Sequence, residues 1–352
     1  MDAIGIGMTH YPMLAGTDEH MADLLKWTLN DPGIPAGYKD PANWPPLMQK
    51  EWADDEGVAA AAGHRADLLE HLRRCRDYLD DFQPDVVVVW GDDQYENFRE
   101  EVVPPFCVLA YPDLEVAPFE HMNEFGVPNA WGWPDDFTIP VRGDAARARQ
   151  LTNDLVRAGF DVAYSYEKRA NSRFPHAILN TQLFLDYDNA GSKFPYALVP
   201  MTVNCYGQHA IVRRGGMARF ADIENEDVDP VGPSPQRCFE LGRAMARSFR
   251  DRDLRVAFVA SSSWSHAFLN DKSWHIVPDT PADEKLYEAF QAEDWAAFTA
   301  PTVEHIVGAG QHEMLNWFCL AGACAESGLE LNWSDLVVTD LFNSNKCFAL
   351  FS

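Results

Sequence analysis

Residues Val86 to Phe98 read VVVVWGDDQYENF. Four valines and a tryptophan make the kind of continuous β-branched run that is buried on both faces of a sheet. The glycine, aspartates, glutamine, glutamate and asparagine that follow are the chemistry of a strand ending. Upstream, Leu68, Leu72, Cys75 and Leu79 recur at helical spacing, and the helix they define stops before Pro84, which disfavours helix in the residue preceding it. A further apolar run, Ala3 to Met8, completes a strand, helix, strand unit. Outward from there, strands are expected at Phe106 to Ala110, Asp161 to Tyr164, Tyr196 to Val203, Val256 to Ala260 and Lys346 to Phe351. Ser234-Pro235 has the form of an N-cap and first helical residue, opening a helix to about Arg250, and Gln311 to Ala323 is expected as another helix. The alternation predicts an α/β fold, one central mixed sheet flanked by helices, in a single domain over 1–352. Two segments, 17–52 and 112–141, are rich in Pro, Gly and Trp without clear periodicity; they are expected as irregular lids or walls of a site.

The 352 residues carry 54 acidic and 28 basic side chains, a formal charge of −26. Such a chain repels nucleic-acid phosphates and anionic membranes. It shows neither a basic leader with an apolar core nor about 18 consecutive apolar residues, so a soluble, cytoplasmic protein is expected. The seven cysteines, scattered and without a C-x-x-C pair, suggest neither disulfides nor a zinc knuckle.

Ligands of open α/β sheets collect beyond the carboxyl ends of the strands. His10 follows the first strand, Asp92, Asp93 and Gln94 the second, Asn204, Tyr206 and His209 the fifth, and His266 the sixth; His312 and Glu313 open a late helix. Imidazoles and carboxylates gathered on one rim are the material of a mononuclear metal site with open positions. Asp92 is expected only to cap the following turn, Trp317, Phe318 and Leu320 to be core, and His20, His64, His71, His121, His275 and His305 to have no role. GIGMTH lacks the glycines of a dinucleotide fingerprint.

In this order and spacing, THYPML, VVVVWGDDQYENF with PPFCVLAY, YALVPMTVNCY, PQRCFELGRAM, SWSHAF, HEMLNW and NSNKCFALF resemble the class III extradiol ring-cleavage dioxygenases, LigB-type enzymes typified by the β subunit of protocatechuate 4,5-dioxygenase. The resemblance implies Fe(II), with Mn(II) or another divalent metal as alternatives, held by His10 and by Glu313, four residues before Trp317. It implies His266 as acid/base and His176 as a further active-site histidine. The family's second metal histidine falls on Gln94, a departure with three repairs. Gln94 or Asp93 binds metal, which position favours; His209 or His176 moves in; or metal binds poorly. An aspartate ligand suits Mn(II) or hydrolysis as readily as O2 chemistry.

The implied substrates are O2 and a catechol, aminophenol or gallate-like ring. Trp131, Trp133 and Phe137 are candidates to wall the ring, and Tyr206, His209, Arg213 and Arg214 to contact substrate. A metal-dependent hydrolase or lyase and a non-catalytic subunit of a two-subunit dioxygenase are the alternatives. The resemblance implies a homodimer and leaves room for a small accessory subunit.

Overall fold

In the computed structural model, which describes residues 1–170, 172–218 and 228–352, ten strands are present among the described residues. They are β1 (Asp2–Met8), β2 (Val86–Asp92), β3 (Phe106–Leu109), β4 (Leu114–Val116), β5 (Ile139–Val141), β6 (Ala163–Ser165), β7 (Leu198–Val203), β8 (Arg255–Ser261), β9 (Leu331–Val337) and β10 (Lys346–Phe351). The helices are α1 (Asp23–Asn30), α2 (Pro46–Trp52), α3 (Val58–Phe82), α4 (Glu120–Glu124), α5 (Ala145–Arg157), α6 (His176–Leu185), α7 (Pro235–Phe249), α8 (Thr280–Gln291), α9 (Trp295–Phe298), α10 (Val303–Gly308) and α11 (Met314–Ser327). The side chain of His121 lies outside the described residues.

Eight strands form one sheet in the order β6-β3-β7-β2-β8-β1-β10-β9. Its centre, β7-β2-β8-β1, is parallel, with Asp92 opposite Val203, Trp90 opposite Ala260 and Met8 opposite Ser261. This register ends all four central strands on the same edge. Beyond them β3 and β10 run antiparallel to their inner neighbours, so the sheet is mixed, as expected.

The valine run sits in the middle and is buried throughout. Val87 and Val89 face the layer containing α3 and α6, while Val86, Val88 and Trp90 face the layer of α5, α7, α8 and α11. Each such valine contributes about 1.5–3 kcal/mol by leaving water. A strand apolar on both faces can occupy only an interior position, which is why this stretch decides the fold.

The expected helix ahead of Pro84 is α3, and Ser234 caps α7 by accepting the Arg237 N–H at 3.2 Å. Three differences have physical reasons. The helix expected from Gln311 begins at Met314, leaving His312 and Glu313 in the turn before it. Strand β9 is a half-exposed edge strand whose residues, LNWSDLV, mix polar and apolar without strict alternation. The segments expected to be irregular hold short elements, α1 and α2 in one, and α4 with the β4–β5 ribbon in the other. Three-residue strands carry no periodic signal.

Helices α7 and α11 pack backbone to backbone. A Cβ added at Gly242 would lie 1.8 Å from the Cys319 carbonyl oxygen, and one at Gly322 would lie 1.9 Å from the Phe239 carbonyl oxygen. Alanine in an open helix is favoured over glycine by about 1 kcal/mol; here overpacking against rigid backbone opposes it by about 1–3 kcal/mol or more. Gly242→Ala should therefore lower stability in urea unfolding. A variant as stable as the wild type would contradict this close packing.

Candidate active site

His10 stands two residues beyond the end of β1. Its Nδ1 lies 2.7 Å from the Ser261 carbonyl oxygen at the end of the adjacent β8, and Asn180 of α6 donates to its backbone oxygen at 3.0 Å. A ring nitrogen facing a carbonyl carries the proton, which leaves Nε2 with its lone pair. Burial lowers the His10 pKa to about 4, so the imidazole is neutral.

The period of β2 decides which aspartate joins it. Side chains alternate along a strand, so Asp92 follows Val88 and Trp90 onto the face covered by α11. There Asp92 Oδ1 lies 3.7 Å from His10 Nε2. Capping of the next turn falls instead to Asp93, whose carboxylate accepts the N–H groups of Glu96, Asn97 and Phe98 at 3.1 Å each. Asp93, expected as a ligand, thus caps the turn, and Asp92, expected as its cap, faces His10 instead. Burial, with Glu96 nearby, raises the Asp93 pKa to about 7. Gln94 lines the cleft, and its amide donates to the Gly215 carbonyl at 2.8 Å.

His176 opens α6 and is brought in from the opposite face. A Cβ on Gly91 would come within 2.9 Å of Ala177 Cβ; glycine there lets the helix approach β2. Glu96, buried, accepts the His176 backbone N–H at 2.9 Å and lies 3.1 Å from its Nδ1. Burial alone would lower the His176 pKa, but Glu96, Asp92 and Glu313 outweigh it and raise the value to about 9. His10, Asp92 and His176 each place a ligand atom within 4.8 Å of the other two.

Glu313, in the turn ahead of α11, completes the group with Oε2 at 3.4 Å from His10 Nε2. Burial and the Asp92 carboxylate push its pKa well above the usual range. Tyr206, read from the sequence as a substrate contact, bridges both acids: its hydroxyl is 2.8 Å from Glu313 Oε1 and 3.3 Å from Asp92 Oδ2. His266 Nε2 is 3.4 Å from Glu313 Oε1, and burial with His10 nearby holds its pKa well below 6.5.

A buried aspartate that sequence reasoning missed holds this corner. Asp283 accepts the Ser265 N–H at 3.1 Å and hydroxyl at 2.5 Å, the Gln311 amide at 2.8 Å and the Asn345 amide at 2.8 Å. It thereby ties together the segments bearing His266 and Glu313 and the start of β10.

A cleft opens above these groups. His10, His176, His266, Glu313 and Gln94 line its floor, and Tyr11, Met13, Trp27, Phe125 and Phe268 are among its walls. Trp131, Trp133 and Phe137, expected as walls, pack with Phe119 and one another instead. Among the sequence candidates for substrate contact, Arg213 pairs with Asp271 at 3.5 Å, the Arg214 guanidinium is 5.9 Å from the Tyr95 ring centroid, and His209 Nδ1 meets His312 Nε2 at 3.2 Å. None of the three lines the cleft.

The donor set fits a divalent cation. Asp92 Oδ1 and Glu313 Oε2 are buried without hydrogen-bond partners, although buried polar atoms are nearly always paired. Both point at the lone pair of His10 Nε2. Two ligands sharing an ion at about 2.1 Å lie about 3–3.5 Å apart, close to the separations found here. His10, Asp92 and Glu313, with His176 beside them, are the residues that would hold the ion.

Fold and site together define an α/β protein with a buried cluster of imidazoles and carboxylates beyond the ends of its parallel strands. Residues 228–349 match the family described as the catalytic LigB subunit of aromatic ring-opening dioxygenase. That match covers about a third of the chain and includes the segments bearing His266 and Glu313. It is 26% identical over 221 residues to a Rhodococcus sp. protein named 2,3-dihydroxyphenylpropionate/2,3-dihydroxicinnamic acid 1,2-dioxygenase, covering 63% of this chain and 54% of that one. A Rhodococcus globerulus protein of the same name is 24% identical over 301 residues, 75% of this chain and 83% of its own. A Pseudomonas putida protein named as the second such enzyme is 27% identical over 200 residues, 57% of this chain and 49% of its own. The matched region spans about half the length of the first of these relatives. An uncharacterized Escherichia coli K12 protein of solved structure aligns at a TM-score of 0.45 and 15% identity over 81% of this chain and 92% of its own; that likeness supports no functional argument. No helix among the described residues is long and apolar enough to cross a membrane.

Two outcomes follow from the geometry. Asp283→Asn keeps the shape but replaces an acceptor by a donor facing buried N–H groups, each costing about 1–3 kcal/mol when unpaired; thermal unfolding should show a large loss, and an unchanged midpoint would contradict the clamp. The His176 pKa is raised from 6.5 to about 9, so its pairing stabilises the metal-free fold fully below pH 6.5 and is lost as pH rises through 9. Urea unfolding between pH 7.5 and 9.5 should show stability falling with pH, and Glu96→Gln should flatten that slope.

Proposed function

We propose that this chain is a divalent-metal, Fe(II)-type extradiol dioxygenase that opens a catecholic ring with O2. One observation carries the reading. Two buried carboxylate oxygens without partners, from Asp92 and Glu313, converge on His10 Nε2 at the floor of an apolar cleft, with His266 alongside. The names of the relatives supply the reaction class.

His10, Asp92 and Glu313 are proposed as the metal ligands, with His176 as a second imidazole in place of the family histidine that Gln94 displaces. Asp93 serves the turn. A bound Fe(II) would acidify the catechol hydroxyls and gather both reactants in one coordination sphere, removing the entropy of bringing them together. His266 is neutral, buried and lines the cleft, so it accepts a hydroxyl proton at one of its ring nitrogens and returns it during ring opening. Glu96 orients His176 through Nδ1 and leaves Nε2 as its remaining ring nitrogen. Tyr206 fixes both carboxylates in place. The Trp27, Phe125 and Phe268 rings flank the substrate and exclude water.

The carboxylate-rich donor set favours a second reading, a hydrolase or lyase that uses the same ion without O2. Anaerobic loading with Fe(II), then oxygen uptake with a panel of catechols, separates the two. Uptake that falls by about 10²-fold or more in His266→Ala, with metal retained, is the expected result; metal-dependent turnover without oxygen selects the alternative. Metal titration tests the ligand set independently of turnover. Asp92→Ala and His10→Ala should each weaken binding by at least about 10-fold, whereas Gln94→Ala should bind as the wild type does. The reverse pattern would return the second ligand to Gln94.

A further inference from the structure

We infer that Asn343 binds substrate: its side-chain amide donates a hydrogen bond to the ring oxygen that gives its proton to His266, and Lys346 is the residue that positions it. This deepens the proposed function and rests on it for the identity of the ring.

Among the described residues, the hydroxyl and amide side chains lining the cleft are those of Tyr11, Gln94, Ser263 and Asn343. Three of them are committed elsewhere. The Tyr11 hydroxyl donates to the Met21 carbonyl at 2.9 Å, the Gln94 amide donates to the Gly215 carbonyl at 2.8 Å, and Ser263 Oγ meets Thr9 Oγ1 at 2.7 Å. Asn343 differs. Its Oδ1 accepts the Phe268 N–H at 3.4 Å; a backbone N–H needs an oxygen, so this contact fixes which end of the amide is which. Among the described residues nothing accepts a hydrogen bond from Nδ2. The residue is only 6% exposed, and buried donors are nearly always paired. An N–H pair left over in the lining of a cleft is a place for a ligand oxygen.

The backbone around Asn343 holds that amide beside the acid/base histidine. Its φ is +63°, a left-handed conformation that asparagine adopts more readily than most residues. The Asn343 carbonyl accepts the Ala267 N–H at 2.5 Å, and Ser344 pairs with His266 across an antiparallel bridge. Lys346, fully buried, donates to the carbonyls on either side of Asn343, those of Phe342 and Ser344, at 2.6 Å each. Its Nζ also stands 4.0 Å from the centroid of the Tyr11 ring, so it ties the residue after His10 to the loop bearing Asn343. When His266 takes the proton of a ring hydroxyl, negative charge is left on that oxygen. A donor already fixed nearby stabilises the charge without reorganising, and a hydrogen bond to a charged acceptor is about twice as strong as a neutral one. Trp27 and Phe125, stacked with centroids 4.9 Å apart, line the same cleft and shield this bond from water.

The test is binding of 4-nitrocatechol, whose visible absorbance reports its ionisation, to protein saturated with Fe(II) and kept free of oxygen. Asn343→Asp keeps an oxygen for the Phe268 N–H and replaces the donor by a carboxylate, so it should bind the probe about tenfold more weakly or worse. Were Asn343 only a support for Phe268, this variant would bind as the wild type does. Asn343→Gly, which adopts the left-handed backbone without strain, should weaken binding as well and keeps the test open if the aspartate variant misfolds. Lys346→Met should weaken binding in the wild-type background and add nothing in Asn343→Gly; additive losses would remove Lys346 from the inference. Equal binding by the wild type and Asn343→Asp overturns the inference, as does no binding by the wild type. None of these readouts requires turnover. Equal binding with oxygen uptake leaves the dioxygenase reading standing and removes the contact, whereas weakened binding without uptake keeps the contact and removes that reading.

Discussion

Asp92 and Glu313 are buried beside one another, and a pair of carboxylates removed from water is tolerated only when something opposes their charge. In the metal-free protein that opposition comes from a proton on Glu313, from the Tyr206 hydroxyl that bridges the two acids, and from His176, held as imidazolium between Glu96 and the acids. A divalent cation would replace the proton and the imidazolium charge together. The surrounding architecture serves to keep this cost fixed in place, because an acid free to rotate toward solvent would no longer be a ligand.

The sheet supplies that rigidity. Four parallel strands end on one edge, and each delivers a group there: His10 after β1, Asp92 from β2, Tyr206 after β7 and His266 after β8. The helices close the site by approaching unusually near. Gly91 of β2 lets α6 approach with His176 from one face, and Gly5 and Gly7 of β1, where a Cβ would meet Cys324 and Trp317, let α11 approach behind Glu313 from the other. Asp283 then ties the loop after β8 to the turn ahead of α11, so that His266 and Glu313 are held as one body. The apolar walls lower the local dielectric and strengthen every interaction among these charges.

Much of this was legible in the sequence. The valine run announced an interior strand, Pro84 and Ser234 marked helix ends, and the rule that ligands gather beyond strand ends drew attention to His10, His266 and Glu313, which do meet. The choice between Asp92 and Asp93 was also encoded, in the alternation that carries Val88 and Trp90 onto one face. Position relative to the family's histidine pointed to the neighbouring residue instead. Glu96, Asp283 and the true walls of the cleft carried no local signal: Glu96 matters through a helix opening eighty residues later, and Trp27 and Phe125 through a stacking contact between segments without periodicity.

The chain by itself determined the kinds of element, their order and the chemical groups at their ends, because propensity, periodicity and capping act over a few residues. Which of those groups meet was decided only by tertiary structure. Distances among His10, Asp92, His176 and Glu313 depend on strand register and on how closely helices seat against the sheet, and those follow from packing between segments far apart in sequence.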